Sequence, residues 1–307
     1  MRTNFGLIGT ITSDVITFDS GRSIKGIGGI LYQAAVLCGL REDVCLYTNL
    51  GEELALEVEE IIKSWSTLQR DGINRVPGPG NQVHLHYPEG GERVETLRSV
   101  VPPLNPRQII EDMDKLKMLV LVVNSGFDIE ISDWRKIVHS ASCPIWLDIH
   151  SLPLSRKLNT PREYLPLPEW REWAEGVSFI QANTIELASM LGHPDKVPAR
   201  AEIFEFSKMA FELGIKAVFV TLGKDGVLAL MKGESKNIAD SAAKEVVDTT
   251  GCGDVFCIGT VVELAAGKDP LTSAAFGLRL ASEAVGVKGI EETFLLARNH
   301  QKKKPRK

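Results

Sequence analysis

Asp248-Thr249-Thr250-Gly251-Cys252-Gly253-Asp254, running directly into Val255-Phe256-Cys257-Ile258-Gly259-Thr260-Val261-Val262-Glu263-Leu264, is the stretch on which the fold turns. Small residues end at a carboxylate, and an apolar segment with helical potential begins at once. A helix here exposes the backbone N–H groups of Gly251, Cys252 and Gly253 at its positive end, and glycine permits an approach that larger side chains block. Such an end attracts anions and stabilises charge developing on a transferred phosphoryl group. Asp254 stands beside it, where a base can take a proton from a hydroxyl. The arrangement points to phosphoryl transfer to an alcohol.

Working outward from this run, apolar strand-like segments alternate with helix-like ones. Phe5–Gly9, Val44–Thr48, Met118–Asn124, Ile145–Asp148, Phe179–Ala182 and Ala217–Leu222 read as largely buried strands. Gly29–Leu40, Glu52–Trp65, Pro106–Leu116, Ser132–Ala141, Ile185–Leu191 and Ala199–Leu213 carry helical patterning between them. This rhythm predicts an α/β fold with a mainly parallel sheet and helices on both faces. Two stretches depart from it. Val15-Ile16-Thr17-Phe18 is too short for a crossover unit, and Asn81-Gln82-Val83-His84-Leu85-His86-Tyr87 alternates polar and apolar before Pro88-Glu89-Gly90-Gly91 and a second run, Glu92–Val100. Period-two strands around a Pro/Gly turn form a hairpin. Both stretches are expected in a small antiparallel sheet projecting from the main domain.

The 307 residues suffice for a large core in one domain, and 44% hydrophobic with 24% charged residues is ordinary for a soluble protein. A net charge of −5 disfavours nonspecific binding to nucleic acid or an anionic membrane. Cys38, Cys45, Cys143, Cys252 and Cys257 are scattered without a Cys-x-x-Cys pair, which argues against a zinc site or disulfide framework and for the cytoplasm. The start, Met1 to Gly9, lacks a signal-peptide pattern, and no apolar run approaches the ~20 residues of a membrane span. The basic run 301–307 reads as a solvated, disordered tail.

Asp248–Asp254 resembles the Asp-Thr-x-Gly-Ala-Gly-Asp signature of the ribokinase-like (PfkB) carbohydrate kinases. That resemblance extends along the chain in order. Gly28-Gly29-Ile30-Leu31-Tyr32-Gln33-Ala34-Ala35 is similar to the family's Gly-Gly-x-x-x-Asn-x-Ala segment, with Gln33 in place of the asparagine. Asp14 fits the family's early aspartate, and a carboxylate there can accept hydrogen bonds from neighbouring sugar hydroxyls. Asn183-Thr184-Ile185-Glu186 matches the Asn-x-x-Glu element implicated in placing Mg²⁺ and phosphate; the same four residues also make a capping box. Thr221-Leu222-Gly223-Lys224-Asp225-Gly226 resembles the Thr-x-Gly-x-x-Gly turn that contacts nucleotide in relatives.

The resemblance implies a three-layer α/β/α sandwich over residues 1–300, with lid segments near 12–26 and 80–100. It implies an ATP- and Mg²⁺-dependent kinase acting on a hydroxymethyl group of a sugar, sugar acid or nucleoside. Asp254 would be the base, and Gly251, Cys252 and Gly253 the anion hole. Asp14, Gly28, Gly29 and Gln33 would read the substrate, joined by Asn124 at a strand end and Arg98, whose guanidinium could grip an acidic sugar. Asn183, Thr221, Gly223, Gly226 and Thr249 would bind nucleotide, and Glu186 would hold the metal through water. Lids of this family sometimes pair across a homodimer. Cys252, at a helix N-terminus where a thiol pKa can fall, is expected instead as a small residue standing where relatives carry alanine.

Gln33, Cys252 and Asn49-Leu50-Gly51-Glu52-Glu53, where relatives commonly have Gly-x-Asp, leave a second reading open: a catalytically weak or inactive protein of this fold that binds a sugar or nucleotide as a sensor. The intact Asp254 and its flanking glycines favour catalysis. Neither a Walker phosphate loop nor a Gly-x-Gly-x-x-Gly after the first strand is present, which disfavours P-loop enzymes and nucleotide-dependent oxidoreductases.

Overall fold

The computed structural model describes residues 4–89, 94–240 and 246–303. Its strands are β1 (Asn4–Ile8), β2 (Ile11–Phe18), β3 (Ser23–Gly29), β4 (Val44–Gly51), β5 (Leu68–Gln69), β6 (Ile73–Val76), β7 (Asn81–Tyr87) and β8 (Val94–Ser99), then β9 (Leu116–Val122), β10 (Ile145–Asp148), β11 (Phe179–Asn183), β12 (Ala217–Thr221), β13 (Val227–Met231) and β14 (Glu234–Ile238). The main sheet runs β14-β13-β12-β11-β10-β9-β1-β4-β5, with β6 also paired to β4. From β4 across to β12 the pairing is parallel; β13 and β14 add an antiparallel edge. All six expected strands are present.

Side-chain alternation splits the core in two. On β9, Met118, Val120 and Val122 face one cluster, while Leu119 and Leu121 face the other. The first cluster is covered by helices Leu31–Gly39, Cys252–Ala265, Pro270–Ala284 and Gly289–Lys303. The second is covered by helices Ile131–Ser140, Thr184–Met190 and Arg200–Glu212. Strand β9 stops at Val122, two residues before the expected end. The Asn124 N–H turns back to the Val122 carbonyl (3.1 Å) and to the Asp128 carboxylate (3.1 Å) instead of continuing the ladder.

Two packing details place the helix that follows the opening motif. Phe256 sits edge-on to Phe219 of β12, which stacks on Trp146 of β10 at 5.1 Å, so aromatic rings tie the helix to the sheet centre. On its other side Gly259 meets Gly277 so closely that an added Cβ would lie 2.7 Å from the Gly277 Cα. Only glycine allows that helix–helix approach.

The smaller sheet runs β3-β2-β7-β8, with β2 antiparallel to β3 but parallel to β7. A purely antiparallel sheet was expected; the long path from β3 through the main sheet to β7 returns the chain in the same direction as β2. Val83, Leu85 and Leu97 form a small core on one face with Ile16, Val100 and Phe127. Because Phe127 comes from the loop after β9, that face is turned toward the main body. The outer edge of β8 is covered by segment 151–165: Asn159 and Arg162 donate their N–H groups to the Leu97 and Glu95 carbonyls, both at 2.8 Å. An exposed edge is thereby paired. Residues 90–93, which include Gly90 and Gly91 of the expected hairpin turn, lie outside the described residues.

The helix Gly289–Lys303 continues into the run expected to be a disordered tail, so 301–303 are helical; 304–307 lie outside the described residues. None of the five cysteines forms a disulfide. No helix among the described residues is long and apolar enough to cross a membrane.

Candidate active site

The opening motif turns into its helix at Gly251, whose φ of 79° lies in the left-handed region. A side chain there would be strained, and its Cβ would stand 2.6 Å from Cδ1 of Tyr32, whose ring covers the turn. Upstream, the Asp248 carboxylate accepts the Thr250 N–H at 2.8 Å, and the Val247 and Asp248 N–H groups donate to the Val285 carbonyl at 2.8 and 3.1 Å. The helix starts at Cys252 and Asp254 falls in its first turn, as the sequence predicts. The Cys252 N–H donates a long 3.3 Å bond to the Thr249 carbonyl, so one of the three expected anion-hole donors has an internal partner.

Asp254 is half-buried beneath an opening, yet protein packs densely around its carboxylate. Burial pushes its pKa up to about 6, while the neighbouring His150 and the Gln33 amide pull it back down. The Gln33 Nε2 donates to the Asp254 Oδ1. Gln33 itself is fully buried, and its Oε1 has no partner among the described residues.

Two more buried carboxylates stand close by. Asp148, at the end of β10, accepts the Gln181 Nε2 at 3.0 Å, and the same amide donates to the Gly253 carbonyl at 3.2 Å. Burial, reinforced by Glu186 and Asp254, holds Asp148 well above the usual carboxylate range. Glu186 closes a capping box: Asn183 donates its N–H to Oε2 (2.7 Å) and its Nδ2 to Oε1 (2.6 Å), while the Asn183 side chain caps the helix. Burial raises Glu186 to about 7 against the opposing effect of His150. His150 has φ of 39°, unusual for a residue with a side chain, and pairs with the Ser151 hydroxyl at 2.9 Å.

Two cavities meet at the motif. One, of about 280 Å³, is lined by Asp254, Asp148, Glu186, His150 and Gln181 and reaches Glu95 of the small sheet. The other, about 580 Å³, is lined by Thr221, Gly223, Gly226, Thr249, Cys252 and Gly253. They share Thr221, Thr249 and Gly253. Asn183 borders the first cavity and a shallower cleft beside Gly223. The expected nucleotide residues therefore surround the larger cavity and its junction with the smaller.

On the substrate side the expected residues separate. Gly28 lies against Asp14, where any Cβ would collide with the Asp14 Oδ2, and Gly29 (φ 64°) is pressed against the Thr10 carbonyl. Gln33 reaches Asp254 directly. Asn124 spends its side-chain oxygen on the Thr10 N–H (3.2 Å) and does not line the cavity.

Arg98 requires a correction. Period-two alternation sends its exposed side chain to the face opposite Leu97, where it bonds Asn159 at 3.4 Å. The guanidinium near the cavity belongs to Arg162, which is buried against Glu95. Cys252 is half-buried, and burial, then Asp254 and Asp248, push its thiol up to about 11, which agrees with a small residue and not a reactive thiolate at this helix start.

Asp148, His150, Gln181, Glu95 and Arg162 were not singled out from sequence. A signal existed for the first two, since Asp148 ends a buried parallel strand where ligands gather in open sheets. Among the described residues no group of three or more His, Cys, Asp or Glu could hold a metal ion. The donor set is thus too sparse for an all-protein cage, and it fits Mg²⁺ held mainly by phosphate and water with Glu186 behind a water.

A family model described as pfkB family carbohydrate kinase matches residues 155–295. A ribokinase of Arabidopsis thaliana is 31% identical over 226 residues, which are 72% of this chain and 51% of that protein; the match spans about half that relative's length. The structure of Arabidopsis thaliana ribokinase complexed with ribose and ATP superposes with a TM-score of 0.74 at 20% identity, covering 97% of this chain and 99% of that one. A nucleoside kinase of Methanocaldococcus jannaschii, an archaeal member of the ribokinase family, gives a TM-score of 0.72 at 15% identity over 99% of both chains.

Proposed function

We propose that this chain is a member of the ribokinase-like PfkB family of carbohydrate kinases, which it resembles in sequence, and that it transfers the γ-phosphate of ATP to a hydroxymethyl group of a sugar or nucleoside. One observation carries this reading: Asp254 sits in the first turn of a helix, beside a glycine-flanked N-terminus, at the junction of an acidic cavity and a nucleotide-sized one. The acceptor occupies the smaller cavity and the nucleotide the larger. Asp254 takes the acceptor's proton as the oxygen attacks in line. The N–H groups at Gly251, Cys252 and Gly253 face the charge that develops on the transferred group. For Cys252 this requires exchanging its long bond to Thr249 for one to phosphate. Gln33 orients the base through its amide. Mg²⁺, when bound, supplies charge neutralisation between the phosphates, with Glu186 holding one of its waters. Closure of the small sheet excludes water that would otherwise hydrolyse ATP.

The test is phosphotransfer from ATP across a panel of sugars and nucleosides, followed by Asp254→Asn with the best acceptor. Loss of a general base lowers kcat by a factor of about 10²–10⁴. Near-wild-type turnover by the variant would remove Asp254 from this role. Binding without any ATP consumption would favour the sensor reading.

A further inference from the structure

Glu95 lies on the same face of the small sheet as Asp14. Ile16, Leu85 and Glu95 stand side by side across β2, β7 and β8, and Asp14, Val83 and Leu97 stand side by side one pair along. The small core with Phe127 turns this face toward the main body, and Glu95 reaches the wall of the 280 Å³ cavity. Its Oε1 accepts the Arg162 Nη1 at 2.8 Å. The Arg162 side chain is completely buried and also bonds the Ser125, Ser155 and Ser151 carbonyls at 2.9, 3.1 and 3.5 Å. A guanidinium held this way fixes Glu95 in one orientation.

Asp148, Glu186 and Asp254 bring three more carboxylates to the wall of the cavity. Gln181 lines it and is almost fully buried, and its Oε1 has no partner among the described residues. The Gln33 Oε1, next to Asp254, is in the same condition. Protein encloses both oxygens, so the ligand meets the carboxylates of the wall, which accept its O–H or N–H groups and repel a carboxylate or phosphate. Among the described residues lining this cavity, His150 alone can carry positive charge. Arg156, the next arginine, stacks over Phe127 and lines a separate cleft.

We propose that Glu95, positioned by Arg162, is a specificity-determining residue that reads acceptor hydroxyls together with Asp14, and that the acceptor is an uncharged polyol and not a sugar acid or sugar phosphate. This rests on the kinase reading for its chemistry, but the recognition can be measured as binding alone. Calorimetry on the full chain compares neutral probes (ribose, glucose, ribitol, myo-inositol) with ribonate, gluconate and glucose 6-phosphate, at fixed ionic strength, for wild type and Glu95→Gln. The expected result is binding of at least one neutral probe, with its charged counterpart about tenfold weaker or worse, and a loss of about tenfold for the neutral probe in Glu95→Gln. Removing Glu95 alone strands a buried guanidinium, so the double variant Glu95→Gln/Arg162→Met makes the same comparison if the single variant does not fold. Preference for a charged probe, failure of every neutral probe to bind, or unchanged affinity in a folded variant would overturn the proposal. Absence of ATP turnover alongside the expected binding pattern would overturn the kinase reading and leave the recognition intact.

Discussion

Asp254 has its pKa set by three opposing neighbours: burial drives it up to about 6, and His150 and Gln33 limit the rise. A base must be ionised to accept a proton, so kcat/KM is expected to climb as pH rises through about 6. Removing the imidazole takes away a group that favours the ionised carboxylate. His150→Gln should therefore move this acid limb to higher pH, readable in a kcat/KM–pH profile; an unmoved limb would show that His150 does not act on Asp254. The substitution of glutamine for asparagine at position 33 also gains a physical meaning. The extra methylene lets the amide reach Asp254 itself, a contact that spacing along the chain does not disclose.

At the scale of the element, two helix starts carry the site, and each depends on local chemistry legible in sequence. Asn183 and Glu186 form a full capping box that also holds Glu186 at the cavity wall. Asn183→Ala should cost about 1 kcal/mol in urea unfolding and raise the KM for ATP, since the loss of the side-chain amide removes the cap and frees the Glu186 Oε1, while the backbone N–H keeps Oε2. The turn at Gly251 is more demanding. Its left-handed φ and the Tyr32 ring both exclude a side chain, so Gly251→Ala should destabilise by about 2 kcal/mol and lower kcat. A variant with wild-type stability and rate would show that the ring swings away at no cost. Strand β8 displays the opposite limit. Its alternation is readable, but which of its faces meets the cavity is not, so Arg98 is singled out there and Glu95 is missed. The decision rests with the bulge between Gln82 and Val83 and with Phe127, which arrives from elsewhere in the chain.

Across the whole molecule, the cluster of Asp148, Glu186 and Asp254 stores a cost in the folded state. A carboxylate whose folded pKa is raised stabilises the fold below its unfolded pKa and loses that contribution as pH rises through the folded value. For Asp254 the window runs from 3.8 to about 6, and for Glu186 from 4.5 to about 7. The ligand-free protein should thus lose stability between pH 4 and pH 7 from these groups. Asp254→Asn should stabilise the protein at pH 7.5 by no more than about 3 kcal/mol, with a higher melting temperature, while kcat falls by a factor of about 10²–10⁴. A melting temperature that falls in the variant would mean that the ionised carboxylate is better solvated or paired than its surroundings imply. Such a trade of stability for activity is common where a site must hold charge away from water.

What the sequence determined alone are the features whose causes are local. Period-two and helical patterning placed the strands and helices, glycine and aspartate placed the two helix starts, and ordered motifs placed residues that line the larger cavity. Only tertiary structure decided what meets across the cavity. Asp148, His150, Gln181, Glu95 and Arg162 lie on separate elements and acquire their roles from burial and from one another's charge. Local pattern does not encode those interactions, because desolvation and Coulomb energy depend on distance in space and not on separation along the chain. On the proposed function, the Asp248–Asp254 run specifies where phosphate and proton go, and the fold around it selects which alcohol can approach.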